Sequence, residues 1–192
     1  MINIESCTSY IESLLNQIYY SQMDNIDLAY KLLSETISNK GKILFFGQGH
    51  SVWVGKDIKD SYDLPIEVIE DNTDNVEDLY RTNNINKNDC VVIVSNSGIN
   101  SFIVELAIFL KNKGNRILVI NSNKHTFKVD SRHPSKTKLY QYGDVVIDNC
   151  CVYGDAAIKD EENYIGSFSS IANNAIMHTV MKKLCNNLNF FN

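Results

Sequence analysis

The stretch "VVIVSNSGINS", residues 91–101, starts as four β-branched apolar residues and turns polar at Ser95. A short continuous apolar run of this kind reads as a strand buried on both faces, the type found in parallel sheets. The polar half, with Ser95, Asn96, Ser97, Gly98 and Asn100, allows two readings. Ser, Asn and Gly make turns wherever a strand ends. Small hydroxyls and exposed backbone N–H groups at a strand-to-helix junction also form a seat for an anion.

The flanking sequence supplies the elements on either side of this junction. Immediately downstream, "SFIVELAIFLKNKG" (101–114) is apolar on nearly every face, as in a helix clamped between a sheet and a neighbouring subunit or helix, with Gly114 as its stop. "KILFF" (42–46), "IEVIE" (66–70), "RILVIN" (116–121) and "DVVID" (144–148) predict four further short strands. Residues 4–39 place Ile11, Leu14, Leu15 and Ile18, then Ile26, Leu28, Ala29, Leu32, Leu33 and Ile37, at helical spacings. They predict a pair of amphipathic helices, the second ended by Gly41. Further helices are expected from about Val52 and from about Ser169 to Leu188. The stretch from Ser122 to Gly143 has no clear period, so it is either an extended functional loop or a segment with a short helix.

Strands alternating with helices imply an α/β fold: a five-stranded parallel sheet flanked by helices on both faces. A chain of 192 residues fills one core, so a single domain over 1–192 is expected. Sheets of this kind bind ligands at the carboxyl ends of their strands. Three polar junctions fall there: "GQGHS" (47–51), Ser95–Ser101 and Asn121–Asn123.

Composition narrows the partners. With 44% hydrophobic residues and no apolar run near the ~20 residues of a membrane span, no membrane association is expected. The opening "MINIESCTSY" has neither a basic region nor an apolar core of a secretory signal, which points to the cytoplasm. Five cysteines without a C-x-x-C pair read as reduced structural thiols. A net charge of −5 argues against sequence-independent nucleic-acid binding. The densest basic patch, "SRHPSKTK" (131–138), reads as a solvated loop, with an anion site as the alternative.

Cofactor and metal motifs are missing. "GQGHS" is not a full G-x-G-x-x-G because position 52 is Val, although Glu70 and Asp71 stand near the distance expected of a ribose-binding acid. There is no Walker loop, no H-E-x-x-H and no G-x-S-x-G, and His50, His125, His133 and His178 are scattered. No cofactor and no metal are expected.

Three blocks, "FGQGHS", "SNSGIN" and "SRHPSKTKLYQYGDVVIDNCCVYGDA", together resemble the SIS (sugar isomerase) domain. Within that superfamily the chain is most similar to a group of stand-alone bacterial proteins without a characterised function. The resemblance covers roughly residues 30–188 and implies a doubly wound, flavodoxin-like sandwich that binds a phosphosugar. In the superfamily, a serine of the first loop and the S-x-S-G-x-[S/T/N] loop hold the phosphate. Carried onto this chain, these are Ser51 and then Ser95, Ser97, Gly98 and Asn100. Gly47, Gly49 and Asn96 accompany them at the same strand ends, and Ser122 at the end of the 116–121 strand. The chemistry agrees, because the first N–H groups of the 101–114 helix lack partners within it and favour an anion. Asn100 is equally suited to an N-cap, and Ser95 to a turn. Ser169 and Ser170 are expected to cap the last helix, with contact to the phosphosugar from its open end as the alternative.

Isomerising an aldose to a ketose needs a base beside the carbonyl and an acid for the developing enediolate. In phosphoheptose isomerases the last helix begins with Gln-Glu-x-His. Here "SSIANNAIMH" offers Asn173, Asn174 and Ile176, and His178 lies two residues beyond, read as a packed or surface histidine. His50, His125 and Asp155 are left as catalytic candidates, each with a hydrogen-bonded loop residue as its alternative. The chain is also shorter between the two phosphate loops than the stand-alone group, and it stops soon after the last helix. Two functions follow from the resemblance: a sugar-phosphate isomerase or related phosphosugar-transforming enzyme, or a non-catalytic phosphosugar sensor or scaffold. SIS domains commonly pair, so a homodimer or homotetramer is expected, with residues 4–39 contributing to assembly.

Overall fold

The computed structural model describes residues 4–70, 73–160 and 163–187. In chain order the elements are α1 (Ile4–Ser38), β1 (Ile43–Gly47), a 3₁₀ turn (Gly49–Ser51), α2 (Val52–Ser61), β2 (Ile66–Val68), α3 (Val76–Thr82) and β3 (Cys90–Val94). They continue as α4 (Ser101–Lys113), β4 (Arg116–Asn121), α5 (Asn123–Thr126), a 3₁₀ turn (Leu139–Tyr142), β5 (Val145–Asp148), the hairpin β6 (Ile158–Asp160) and β7 (Asn163–Ile165), and α6 (Ser169–Asn187). Leu188, the expected end of the last helix, lies outside the described residues.

The five expected strands form one parallel sheet in the order β2-β1-β3-β4-β5. This is the flavodoxin-like doubly wound order. Alternation along each strand sorts the core into two layers. Ile43, Phe45, Val92, Val94, Leu118, Ile120 and Ile147 face α1, α2 and α6. Leu44, Phe46, Val91, Ile93, Ile117 and Val119 face α3, α4 and Leu139. These side chains are almost fully buried, and each contributes about 1.5–3 kcal/mol relative to exposure.

The second flank of α4 is covered from within the chain. Phe109 packs edge-on against Tyr80 of α3, with ring centroids 5.5 Å apart, and Phe102 lies 6.0 Å from Phe46. Of the two covers expected for this helix, a neighbouring helix supplies the flank carrying Phe109.

The N-terminal helical pair is corrected to one helix. No Gly or Pro occurs between Ile4 and Ser38, so nothing interrupts the backbone hydrogen bonding. The buried stripe runs unbroken through Leu14, Ile18, Gln22, Ile26, Ala29, Leu32 and Leu33. Gln22 hides this continuity in the sequence, because a polar residue sits where the stripe requires a buried one. Its amide is used: Gln22 Oε1 accepts the backbone N–H of Asp148 on β5 at 3.0 Å. The helix ends at Ser38, and the residue past it in the left-handed region is Lys40 (φ 58°) rather than Gly41.

Two elements carried no sequence period. The seven-residue α3 buries only Leu79 and is fixed by its cap, Asn75 Oδ1, which accepts the N–H groups of Glu77 and Asp78. The β6–β7 hairpin is three residues a side. The aperiodic stretch 122–143 contains α5 and the second 3₁₀ turn, which agrees with the short-helix alternative. No described helix is long and apolar enough to cross a membrane.

Candidate functional site

In a β2-β1-β3 order the chain winds in opposite directions on either side of β1 and β3, leaving a crevice beyond their carboxyl ends. β1 ends at Gly47 and β3 at Val94. A cleft of 290 Å³ opens there, lined by Gln48, His50, Ser51, Val94, Ser95, Asn96, Ser97, Ile99, Asn100, Ile103, His125, Arg132, Gly154 and Asp155. It therefore brings together Ser51, Ser95, Asn96, Ser97, Asn100, His50, His125 and Asp155 from the expected set.

The two loops are shaped by glycines. A Cβ on Gly47 would lie 2.8 Å from the backbone of Ser51, so only glycine lets the first loop fold back on the strand end. Gly98 has φ +61°, and a Cβ there would meet Leu139 Cβ at 3.2 Å. Its N–H is accepted by Ser95 Oγ at 3.3 Å, which leaves the Ser95 hydroxyl proton free to donate. Asn100 caps α4, its Oδ1 accepting Phe102 N–H at 2.9 Å. Ser97 is half-buried and bonds to no other described residue. The Ser51 hydroxyl, in a buried residue, likewise makes no hydrogen bond to a described residue. Two serine hydroxyls without partners among the described residues thus belong to one cleft beside the N-terminus of a 13-residue helix.

Asp155 organises the opposite wall. Held at φ 64° and buried, it accepts the Ser169 N–H at 3.0 Å, the Ser169 hydroxyl at 2.5 Å and the Ser167 hydroxyl at 2.6 Å. His50 Nε2 lies 3.2 Å from Ser169 Oγ and 3.6 Å from Asp155 Oδ2. The single Ser169 hydroxyl proton is directed at Asp155, so Ser169 Oγ can only accept from His50 Nε2–H. That fixes the His50 tautomer and leaves Nδ1 as the basic nitrogen.

His125 is positioned by α5. Its backbone N–H reaches Ser122 Oγ at 3.2 Å, and its ring meets Tyr153 edge-on at 4.8 Å. Burial pushes its imidazole below the ordinary value of 6.5, opposed in part by the Asp155 carboxylate, and its Nδ1 is buried without a hydrogen-bond partner among the described residues. The neutral ring is therefore the form this site favours.

The remaining expected residues stand outside the cleft lining. Gly47 and Gly49 shape the first loop, and Gly98 shapes the second. Ser122 is buried at the cap of α5, donating to the Cys151 carbonyl at 2.6 Å. The third polar junction serves the same cap, with Asn121 bonded to Thr126 and Asn123 to Asp148. Ser169 and Ser170 are corrected from caps to the first two residues of α6, with the Ser169 hydroxyl spent on Asp155. His178 bonds to Asp57 at 2.9 Å and Tyr62 at 3.0 Å in a partly exposed position, in keeping with the packed-or-surface reading of the sequence. Asn173 is buried against Asn149. Glu70 borders a separate depression with Lys56 and Lys59, and Asp71 lies outside the described residues. Burial, with the Asp155 carboxylate adding to it, pushes the Cys151 thiol up to about 12, so it stays protonated and is no nucleophile at neutral pH.

Sequence reasoning did not place Gln48, Gly154 or Arg132 in the site. For Arg132 a signal existed: it belongs to the one dense basic patch, within the long aperiodic segment.

Fold and cleft together define a doubly wound α/β protein with a polar, donor-rich site at its switch point. The chain belongs to the SIS domain family, which matches residues 36–132, about half of its length, with a second SIS-domain match over residues 8–63. It is 33% identical over 181 residues to a UPF0309 protein of Halalkalibacterium halodurans, covering 83% of this chain and 75% of that one. A UPF0309 protein of Listeria monocytogenes is 32% identical over 158 residues, covering 77% and 68%. Among solved structures, a phosphoheptose isomerase from Neisseria gonorrhoeae superposes with a TM-score of 0.69 at 11% identity, over 95% of this chain and 97% of that one. A phosphoheptose isomerase from Francisella tularensis gives 0.64 at 13% identity, over 96% and 98%. At these identities the structural likeness is one of fold.

Proposed function

We propose that the cleft binds a sugar phosphate and interconverts its aldose and ketose forms. One observation carries this reading: serine hydroxyls without partners among the described residues, a helix N-terminus and two imidazoles line the same cleft. In this reading the phosphate sits on the Ser95–Asn100 loop. The hydroxyls of Ser51, Ser95 and Ser97 and the N–H groups of the loop donate to it, and the positive end of α4 favours its charge. His50 Nδ1 takes the proton from the carbon next to the carbonyl, while Ser169 and Asp155 hold the imidazolium that forms. Neutral His125 donates to the carbonyl oxygen as negative charge develops there. The proton returns to the former carbonyl carbon, and one hydroxyl proton crosses to the other oxygen, so the reaction needs no further reactant. Solved phosphoheptose isomerases with this fold support the substrate class.

The test is a panel of hexose, pentose, heptose and N-acetylhexosamine phosphates, followed by proton NMR in D2O. Expected is exchange of the proton α to the carbonyl with at least one ligand that raises the melting temperature, and its loss in His50→Gln. A second reading, a phosphosugar sensor, is favoured by α6, which turns neither His178 nor a carboxylate toward the cleft. A ligand that raises the melting temperature without α-proton exchange would favour the sensor and end the isomerase reading.

The same proposal includes assembly as a dimer or tetramer. Tyr20 and Leu28 on α1, Trp53 on α2 and Ile171 on α6 are exposed apolar side chains suited to a subunit contact. A monomer in sedimentation at micromolar concentration counts against it. The five free thiols support a reducing, cytoplasmic setting for the chain.

A further inference from the structure

We infer that Arg132 is a binding residue for the ligand's phosphate, presented to the seat from the segment hydrogen-bonded to the serine loop, so that the cleft selects a dianionic phosphomonoester. This rests on the phosphate-binding reading above and adds to it the one fixed cation of the site. Among the lining residues only Arg132 and Asp155 carry a fixed charge, and Asp155 is hydrogen-bonded by Ser167 and Ser169. The Arg132 guanidinium makes no ion pair or side-chain hydrogen bond with another described residue, although the chain carries 23 acidic residues. A cation that lines a donor-rich cleft and forms no ion pair with a described residue meets a requirement of an anion site.

The segment around Arg132 is fastened to the serine loop itself. Arg132 N–H donates to the Ile99 carbonyl at 3.1 Å, and Leu139 N–H donates to the Gly98 carbonyl at 2.9 Å. Between these two points runs a chain of side-chain bonds. His133 Nε2 meets Glu105 of α4 at 2.7 Å and its Nδ1 meets Ser135 Oγ at 2.7 Å. Ser135 in turn meets Thr137 at 2.6 Å, and Thr137 meets Tyr142 at 2.7 Å. His133 is buried and locked to α4, the helix whose N-terminus forms the seat, while its neighbour Arg132 is exposed and directed to the cleft. Of the two lysines of the patch, Lys136 is outside the cleft lining and Lys138 Nζ donates to the Thr126 carbonyl. The hydrogen-bonded frame thus leaves Arg132 as the basic group presented to a ligand. Glu105 and His133 are its positioning residues.

The test is calorimetric titration of inorganic phosphate, and separately of fructose 6-phosphate, into the full chain, Arg132→Ala, Arg132→Lys and Ser97→Ala. Arg132→Ala is expected to raise both dissociation constants about tenfold to a hundredfold, the range of a lost charge-assisted hydrogen bond. Arg132→Lys is expected to recover part of the loss, because the charge returns without the planar fork. The salt dependence of binding should flatten in Arg132→Ala, and the melting temperature without ligand should stay unchanged because the side chain is exposed. If Ser97→Ala weakens phosphate binding while Arg132→Ala leaves it intact, the inference fails and the phosphate seat stands. If the unaltered chain binds neither probe, the seat itself fails, and the assignment of Arg132 with it.

Discussion

At the scale of single residues, the cleft separates groups that hold a ligand from groups that hold other residues. Ser97 has no structural duty among the described residues, so Ser97→Ala should change folding stability by less than about 0.5 kcal/mol. Ligand affinity should fall by about 1.5–3 kcal/mol, read by calorimetry against the urea midpoint. An unchanged affinity would remove the second loop from the site. His125 gives a different signature. Its folded-state imidazole is held below 6.5 by burial, so above that value both states are neutral and folding is indifferent to the group. As pH falls below 6.5, the unfolded chain takes up a proton that the folded chain resists, and stability is lost toward the lowered folded value. Urea midpoints at pH 7.5 and pH 5.5 should therefore differ less in His125→Gln than in the unaltered chain. An equal difference would contradict the buried neutral ring.

At the scale of elements, the five strands were readable from short apolar runs because a sheet buried on both faces leaves them no polar side. The helix α1 was readable in type but not in continuity, since Gln22 occupies the buried stripe and its partner, the Asp148 N–H, is 126 residues away. Gln22→Leu makes the pattern look better and should still destabilise the protein by about 1–3 kcal/mol, because it orphans a strand N–H. Denaturant unfolding measures this, and a stabilised variant would show that the amide finds another partner. The loops were legible as a pair because glycines and serines cluster at two strand ends. Gly98→Ala should cost about 1–3 kcal/mol from its positive φ alone, with loss of ligand binding as the loop shifts toward Leu139. Arg132 was legible only as part of a basic patch with an anion site as its alternative reading, not as a residue of this cleft. Its direction depends on the burial of the adjacent His133 against Glu105 of α4, 28 positions earlier, and no local pattern encodes that pairing.

At the scale of the whole molecule, the cleft is assembled from segments spread between Gln48 and Asp155. Its walls come from the ends of β1 and β3 and from the segments after β4 and β5, with Ser169 at the start of α6 supporting His50 from behind the lining. None of these pieces is near another in sequence, and parallel strands can meet only after their crossover segments are in place. The site cannot exist in a partly formed sheet. Bound phosphate should accordingly leave the refolding rate unchanged and slow unfolding in proportion to the stability it adds, a shift confined to one arm of a chevron plot. The ligand would then act as a clasp on a finished fold: its presence sets how long a folded molecule lasts, while having no part in how quickly a new one is made.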